Sequence, residues 1–227
     1  MPAYNEARNL EPVVEDLTRV LKKITDSFEL IIVDDGSKDG THELADELSK
    51  RDFRVRAVHH PVNMGYGAAL RSGFGAASHD WIFFTDADGQ FDPENLTMLI
   101  PLAGQHQFVT GYRENRMDPW HRRAYGAIFS ALIRALFGVK VKDVNCAFKL
   151  FNKRLLQGAE LATRGALINA ELLVAAKKMG VDPVEVPVTH RRRHQGEASG
   201  GSIKVMARAA QELAELWIRT RRKRSDK

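Results

Sequence analysis

Short unbroken apolar runs that alternate with helical patterns, two of them ending in acidic clusters, constrain this chain more than any other feature. Residues 30–33 (Leu-Ile-Ile-Val) end in Asp34-Asp35-Gly36-Ser37, and residues 81–85 (Trp-Ile-Phe-Phe-Thr) end in Asp86-Ala87-Asp88. Runs this short read as strands buried on both faces, the habit of parallel sheets. Leu10, Val13, Val14, Leu17, Val20, Leu21 and Ile24 recur at helical spacing and predict a helix over 7–25. Helices are also predicted over 41–50, 65–77 and 93–102, and strands over 55–58 and 108–111. Strictly alternating strands and helices imply an α/β fold with a doubly wound, mostly parallel sheet.

Sites in such sheets lie beyond the carboxyl ends of the strands, where both acidic clusters fall. On extended backbone Asp86 and Asp88, two residues apart, project to the same side. Such a pair attracts a hard divalent cation, and oxygen-only ligands favour Mg²⁺ or Mn²⁺. The same residues also suit an acidic loop capping a helix, since Asp92-Pro93-Glu94 resembles a helix start. The residues alone leave both readings open.

After residue 112 the alternation breaks down. A helix over 122–137, a strand near 148–151, a helix over 169–179 and a strand over 183–188 should fold over the crevice as its acceptor side. The 227 residues suit one domain with an elaborated end. We divide them into 1–202, in two halves (1–112 and 113–202), and a basic amphipathic helix and tail (203–227). A strand would be expected just before Met1-Pro2-Ala3-Tyr4-Asn5-Glu6, so the sheet is expected to lack its first strand, through a start placed too late or a chain cut short.

The net charge of +5 is unevenly placed, with Arg191-Arg192-Arg193 and the segment 219–224 holding much of the excess. A phosphate-bearing partner or a solvated tail both account for it. Basic segments without interleaved aromatics or a recognised motif argue against nucleic acid. Cys146 is the sole cysteine, which excludes an intrachain disulfide and suits a reducing compartment. No apolar stretch approaches the roughly 18 residues of a membrane span. Ile203, Met206, Ala210, Leu213, Leu216 and Trp217 fall at helical spacing ahead of a basic end, which fits either an anionic membrane surface or packing on the domain. His59 and His60 could suggest metal binding, but adjacent histidines on a strand point opposite ways, which argues against it.

Pro2-Ala3-Tyr4-Asn5-Glu6, Asp34-Asp35-Gly36-Ser37, Asn63-Met64-Gly65, Asp86-Ala87-Asp88-Gly89-Gln90 and Gly111-Tyr112-Arg113 occur in an order and spacing that resemble family 2 glycosyltransferases with the GT-A fold. Within them the chain is most similar to the dolichol-phosphate and polyprenol-phosphate mannosyltransferase and glucosyltransferase group. The resemblance extends over residues 143–151, 185–188 and 200–204. It implies that Pro2, Ala3, Tyr4, Glu6 and Asp35 hold the base and ribose of a nucleotide sugar, with Asp86 and Ala87 also at the nucleotide. It implies Asp88 and Gln90 as ligands of Mg²⁺ or Mn²⁺, and Arg113, Arg122 (or its neighbour Arg123) and Lys204 at phosphates. Asp88 and Arg113 then act in catalysis.

The implied activity is inverting transfer of a hexose from a GDP-mannose or UDP-glucose type donor to polyprenyl phosphate. It is expected in the cytoplasm, peripheral at the inner face of the membrane, with an integral membrane protein as a further candidate partner. A lipid phosphate arrives anionic and needs no base, whereas a hydroxyl acceptor does. For a saccharide or other hydroxyl acceptor in cell-envelope polysaccharide assembly, Glu171 is the nominated base, its alternative being a helix surface or cap residue. A third reading, prompted by the missing strand, is a nucleotide-sugar-binding partner without turnover. The glycine- and serine-rich loop 196–202 is expected to close as a lid over the diphosphate.

Overall fold

A computed structural model describes residues 1–114, 120–157, 159–192 and 203–225, without the side chains of 203–207 and 222–225. The first half is built as its apolar pattern dictates. The helix α1 (Ala7–Ile24) buries Leu10, Val14, Leu17 and Val20, one stripe at helical spacing. The strand β2 (Leu30–Asp34) is buried at every position. Next come α2 (Thr41–Arg51), β3 (Val55–His59), α3 (Tyr66–Ala76), β4 (Trp81–Phe84), α4 (Leu96–Ala103) and β5 (Phe108–Arg113). A short 3₁₀ turn, Pro93–Asn95, precedes α4, and the Asp92 carboxylate caps it by accepting from the Glu94 amide at 3.1 Å. The helix cap is therefore Asp92, and Asp86 and Asp88 are left for other work.

The second half contributes α5 (Trp120–Phe137), β6 (Lys149–Asn152), α6 (Ile168–Lys178), β7 (Val184–Val188) and α7 (Ile203–Ser225). Two sheets form, in the orders β1 (Pro2–Ala3)-β2-β3 and β4-β6-β5-β7. Every pairing is parallel except those of β6, which runs antiparallel to β4 and β5. Phe74 from α3 meets Phe84 and Phe151 edge-on at 5.5 and 5.3 Å between ring centroids, fixing the helix to the second sheet.

Pro2–Ala3 form a two-residue strand, β1, parallel to β2, and the Val33 amide donates to the Met1 carbonyl at 2.9 Å. Two residues do not fill the interval between the sheets. A largely apolar cavity of about 590 Å³ lies there, lined by Met1, Leu17, Ile31, Phe74, Ile82 and Leu150 among others.

α7 is packed on the domain. Leu216 is buried, and the Glu212 carboxylate accepts from the amides of Arg164 and Gly165 at 3.0 and 3.1 Å. Trp217 lies under the Arg221 guanidinium, 4.0 Å from the ring centroid. One face of α7 is thus packed on the domain over residues 208–221. The exposed apolar face lies instead on α5, where Trp120, Tyr125, Ile128, Leu132 and Leu136 face outward and Ile128 is 65% exposed.

Candidate active site at the strand ends

The carboxyl ends of β1, β2 and β4 carry the residues the sequence singles out. Pro2 and Ala3 are buried in β1, and Tyr4 is 40% exposed just beyond it. Asn5 takes a left-handed conformation (φ 55°), which turns the chain back towards β2. Its amide donates to Ser37 Oγ and its Oδ1 accepts from the Lys38 amide, both at 2.9 Å, while the Glu6 amide donates to Thr41 Oγ1 at 2.9 Å. The two loops thus form one unit, and Glu6 is buried, accepting from Asn9 Nδ2 at 2.7 Å.

Asp35 is buried and accepts three hydrogen bonds: from the amides of Met64 and Gly65 at 2.9 and 2.8 Å and across a 2.7 Å contact with His60 Nδ1. It anchors the Asn63-Met64-Gly65 turn to the end of β2. Gly65 has φ +99° and an added Cβ would meet the Arg164 carbonyl at 2.5 Å, so α3 starts against the 163–165 loop only because this residue is glycine. That loop is held by two buried acids, Glu171 and Glu212.

Asp86 Oδ1 accepts from the Tyr66 hydroxyl at 2.9 Å. Burial, then the neighbouring Asp88 carboxylate, pushes the Asp86 carboxyl up to about 7, against hydrogen bonding from Tyr66 and the Arg113 charge. Burial and Asp86 also raise the Tyr66 hydroxyl well above its ordinary range. Asp88 is buried and its Oδ1 accepts from the Gln90 amide at 3.0 Å. Two crowded carboxylates and a nearby amide oxygen are a donor set that suits Mg²⁺ or Mn²⁺.

Gln90 joins β4's loop to the chain after β7. Its Nε2 donates to the Arg191 carbonyl at 3.1 Å, the Arg191 amide donates to the Gln90 carbonyl at 2.7 Å, and Phe91 bridges His190. The Arg191 guanidinium pairs with Asp92 at 2.5 Å. His190, a buried metal-ligand type beside Gln90, was not singled out by sequence reasoning, which read only Arg191-Arg192-Arg193, as excess charge and as a flank of the proposed lid.

Arg113 closes the site from the end of β5, its guanidinium engaged in a fork with Asp143. Arg122 is half-buried and Arg123 exposed in the first turn of α5. The Lys204 side chain and the proposed lid, 196–202, lie outside the described residues.

Glu171 has a different task from the one nominated. It is 2% exposed; Oε2 accepts from the Ala162 and Thr163 amides at 3.0 Å and from Thr163 Oγ1 at 2.7 Å, and Oε1 pairs with Arg219 at 2.5 Å. A carboxylate so committed fastens α7 and the 162–163 loop to α6.

The sequence profile of "Glycosyl transferase family 2" matches residues 1–158, the stretch that supplies every strand-end carboxylate of this site. The chain belongs to glycosyl transferase family 2. Polyprenol monophosphomannose synthase of Mycolicibacterium smegmatis is 31% identical over 242 residues, covering 97% of the chain and 86% of that protein. Undecaprenyl-phosphate 4-deoxy-4-formamido-L-arabinose transferase of Proteus mirabilis is 27% identical over 209 residues, which span 91% of the chain and 63% of that enzyme. The crystal structure of glucosyl-3-phosphoglycerate synthase from Mycobacterium tuberculosis, complexed with Mn²⁺, UDP and glucosyl-3-phosphoglycerate, aligns with a TM-score of 0.71 at 23% identity over 96% of the chain and 77% of its own. At that identity the likeness shows the fold, which in this family member is α/β with a mostly parallel sheet.

Proposed function

We propose that this family 2 chain is an inverting, metal-dependent glycosyltransferase that moves a hexose from a GDP- or UDP-sugar to polyprenyl phosphate. The observation that carries the reading is Asp86 and Asp88 side by side at the end of β4, opposite the Asn5, Asp35 and Gly65 loops at the ends of β1, β2 and β3. The second relative above acts, by its name, on undecaprenyl phosphate, and the first makes a polyprenol phosphomannose.

In this reading the 2–6 and 35–37 loops bind base and ribose, and the Asp35-anchored turn orients them. Asp88 and Gln90 hold Mg²⁺ or Mn²⁺, with Asp86 turned to the nucleotide through its bond from Tyr66. The metal, when bound, supplies Lewis-acid stabilisation of the leaving diphosphate. Arg113, preset by Asp143, contributes positive charge where that diphosphate sits. An acceptor phosphate attacks without a base, which agrees with Glu171 being fully committed elsewhere.

Membrane contact is assigned to α5. Trp120, Ile128, Leu132 and Leu136 face outward on a helix whose first turn carries Arg122 and Arg123, a pattern suited to lying in an anionic interface. Among the described residues no helix is long and apolar enough to cross a membrane.

The test is incubation of the folded protein with Mn²⁺, GDP-mannose or UDP-glucose, and polyprenyl phosphate. A lipid-linked sugar is expected; no product from any donor, with folding intact by circular dichroism, rejects the reading.

A further inference from the structure

The adjacent pairs Asp34-Asp35 and His59-His60 lie on neighbouring parallel strands with Asp34 in register with His59. Alternation therefore sends Asp35 and His60 to the α3 side and Asp34 and His59 to the α2 side. On the α2 side they meet His42 and Asp46. Asp34 Oδ2 is 3.2 Å from His42 Nδ1 and 3.2 Å from His59 Nδ1, and these three ligand atoms all lie within 4.8 Å of one another. His59 Nε2 is 2.9 Å from Asp46 Oδ1. Asp34 is 1% exposed, while the His42 side chain is about half exposed and can be reached from solvent.

We propose that Asp34 Oδ2, His42 Nδ1 and His59 Nδ1 form a Zn²⁺ site, separate from the donor site, with Asp46 orienting His59. Two imidazoles and one carboxylate are a ligand set typical of Zn²⁺ and unlike the oxygen set at Asp86 and Asp88. Ligands about 2.1 Å from a tetrahedral zinc stand roughly 3.4 Å apart, close to the spacing already present around Asp34 Oδ2. A ligating histidine commonly donates its other ring N–H to a carboxylate, and Asp46 stands at that nitrogen of His59. The imidazoles are stacked, 3.8 Å between centroids and 32° between planes, so half-exposed His42 turns to aim its lone pair. The fourth position is left to water.

His59 faces a carboxylate at each nitrogen; burial lowers its basicity, but the bonds to Asp46 and Asp34 outweigh it and raise the imidazole above its ordinary range. Burial likewise pushes Asp34 up, and the hydrogen bonds from Ser37, His59 and His42 outweigh it and hold it low. Zinc binding releases protons, and because the Ser37 amide donates to Asp34 Oδ1 at 3.0 Å, it braces the turn that carries the 37–41 loop.

The site is independent of the transferase reading, and its test does not use activity. Chelator-treated full chain is titrated with Zn²⁺ by calorimetry, and thermal unfolding is followed in parallel. One equivalent is expected to bind in wild type and in Asp88→Asn, with a rise in the unfolding temperature. His42→Ala, at a half-exposed position that keeps the fold, should lose it, and Asp46→Asn should bind about 10- to 100-fold more weakly. Absence of binding in wild type, or equal binding in His42→Ala, overturns the proposal.

Discussion

Arg113 and Asp143 form a forked ion pair: Nε lies 2.7 Å from Oδ2 and Nη2 2.9 Å from Oδ1, with each side chain only 11% exposed. The pair joins the end of β5 to the segment before β6 and holds the guanidinium beside Asp86. Removing one partner of a buried pair leaves an uncompensated charge. Asp143→Asn is therefore expected to cost about 3 kcal/mol, read as a lowered urea midpoint. Arg113→Lys keeps the charge but loses the fork, and transfer should fall while the protein remains folded.

Asp88→Asn keeps shape and removes one negative charge from the crowded pair. Transfer is expected to drop about 10²- to 10³-fold, the size typical for loss of one preorganised electrostatic group, with the unfolding temperature unchanged or raised. Product in the lipid extract at the wild-type rate would remove Asp88 from the metal role.

The strands and helices of the first half were legible because each obeys one period. The continuous run at 30–33 could only be a buried strand, and the α1 stripe only one face of a helix. The strand-end carboxylates followed from topology. What escaped the sequence were relations made by contact over long separations. Nothing near Glu171 announces Arg219, 48 residues away, and nothing near Asp34 announces His42 and His59 as joint partners until the register of β2 and β3 is known. The opposed directions of His59 and His60 were readable from alternation; that each would find its own aspartate was not. The antiparallel entry of β6 was equally hidden, since a buried strand's composition does not encode its direction.

Glu171→Gln separates an anchor from a base. Loss of the charge leaves Arg219 unpaired and weakens the hold on the 162–163 loop, so a stability loss of about 3 kcal/mol is expected by urea unfolding. The rate per folded molecule and its pH profile should stay as in wild type. A collapse in rate without loss of stability would restore the hydroxyl-acceptor chemistry.

Ile128→Asp places a charge on the exposed α5 face at a position 65% open to solvent. Stability should change by less than about 0.5 kcal/mol, as for ordinary surface substitutions. Co-sedimentation with vesicles containing anionic lipid should fall sharply, and removing the basic segment after Arg219 should matter less. The reverse ranking would return the membrane contact to α7.

The buried pair Lys149 and Cys146 is expected to shape how stability varies at alkaline pH. Lys149 is fully buried, its ammonium donating to the Val144 and Cys146 carbonyls, and burial lowers it from 10.5 to about 8. Between those values the unfolded chain holds a proton that the folded chain has lost, so stability rises with pH, by up to ~1.4 kcal/mol per unit. Burial raises the Cys146 thiol from 9.0 to about 12, so above 9 the folded chain keeps a proton that the unfolded chain loses, and stability falls with pH. The two slopes oppose each other from 9 to 10.5. Their joint contribution should therefore climb from pH 8 to 9, level off, and decline above 10.5, where Tyr66 adds to the fall. Chemical unfolding across this range should show the climb in Cys146→Ala, whose decline is softened, and lose it in Lys149→Met. A Lys149→Met variant that still gains stability from pH 8 to 9 would refute the assignment.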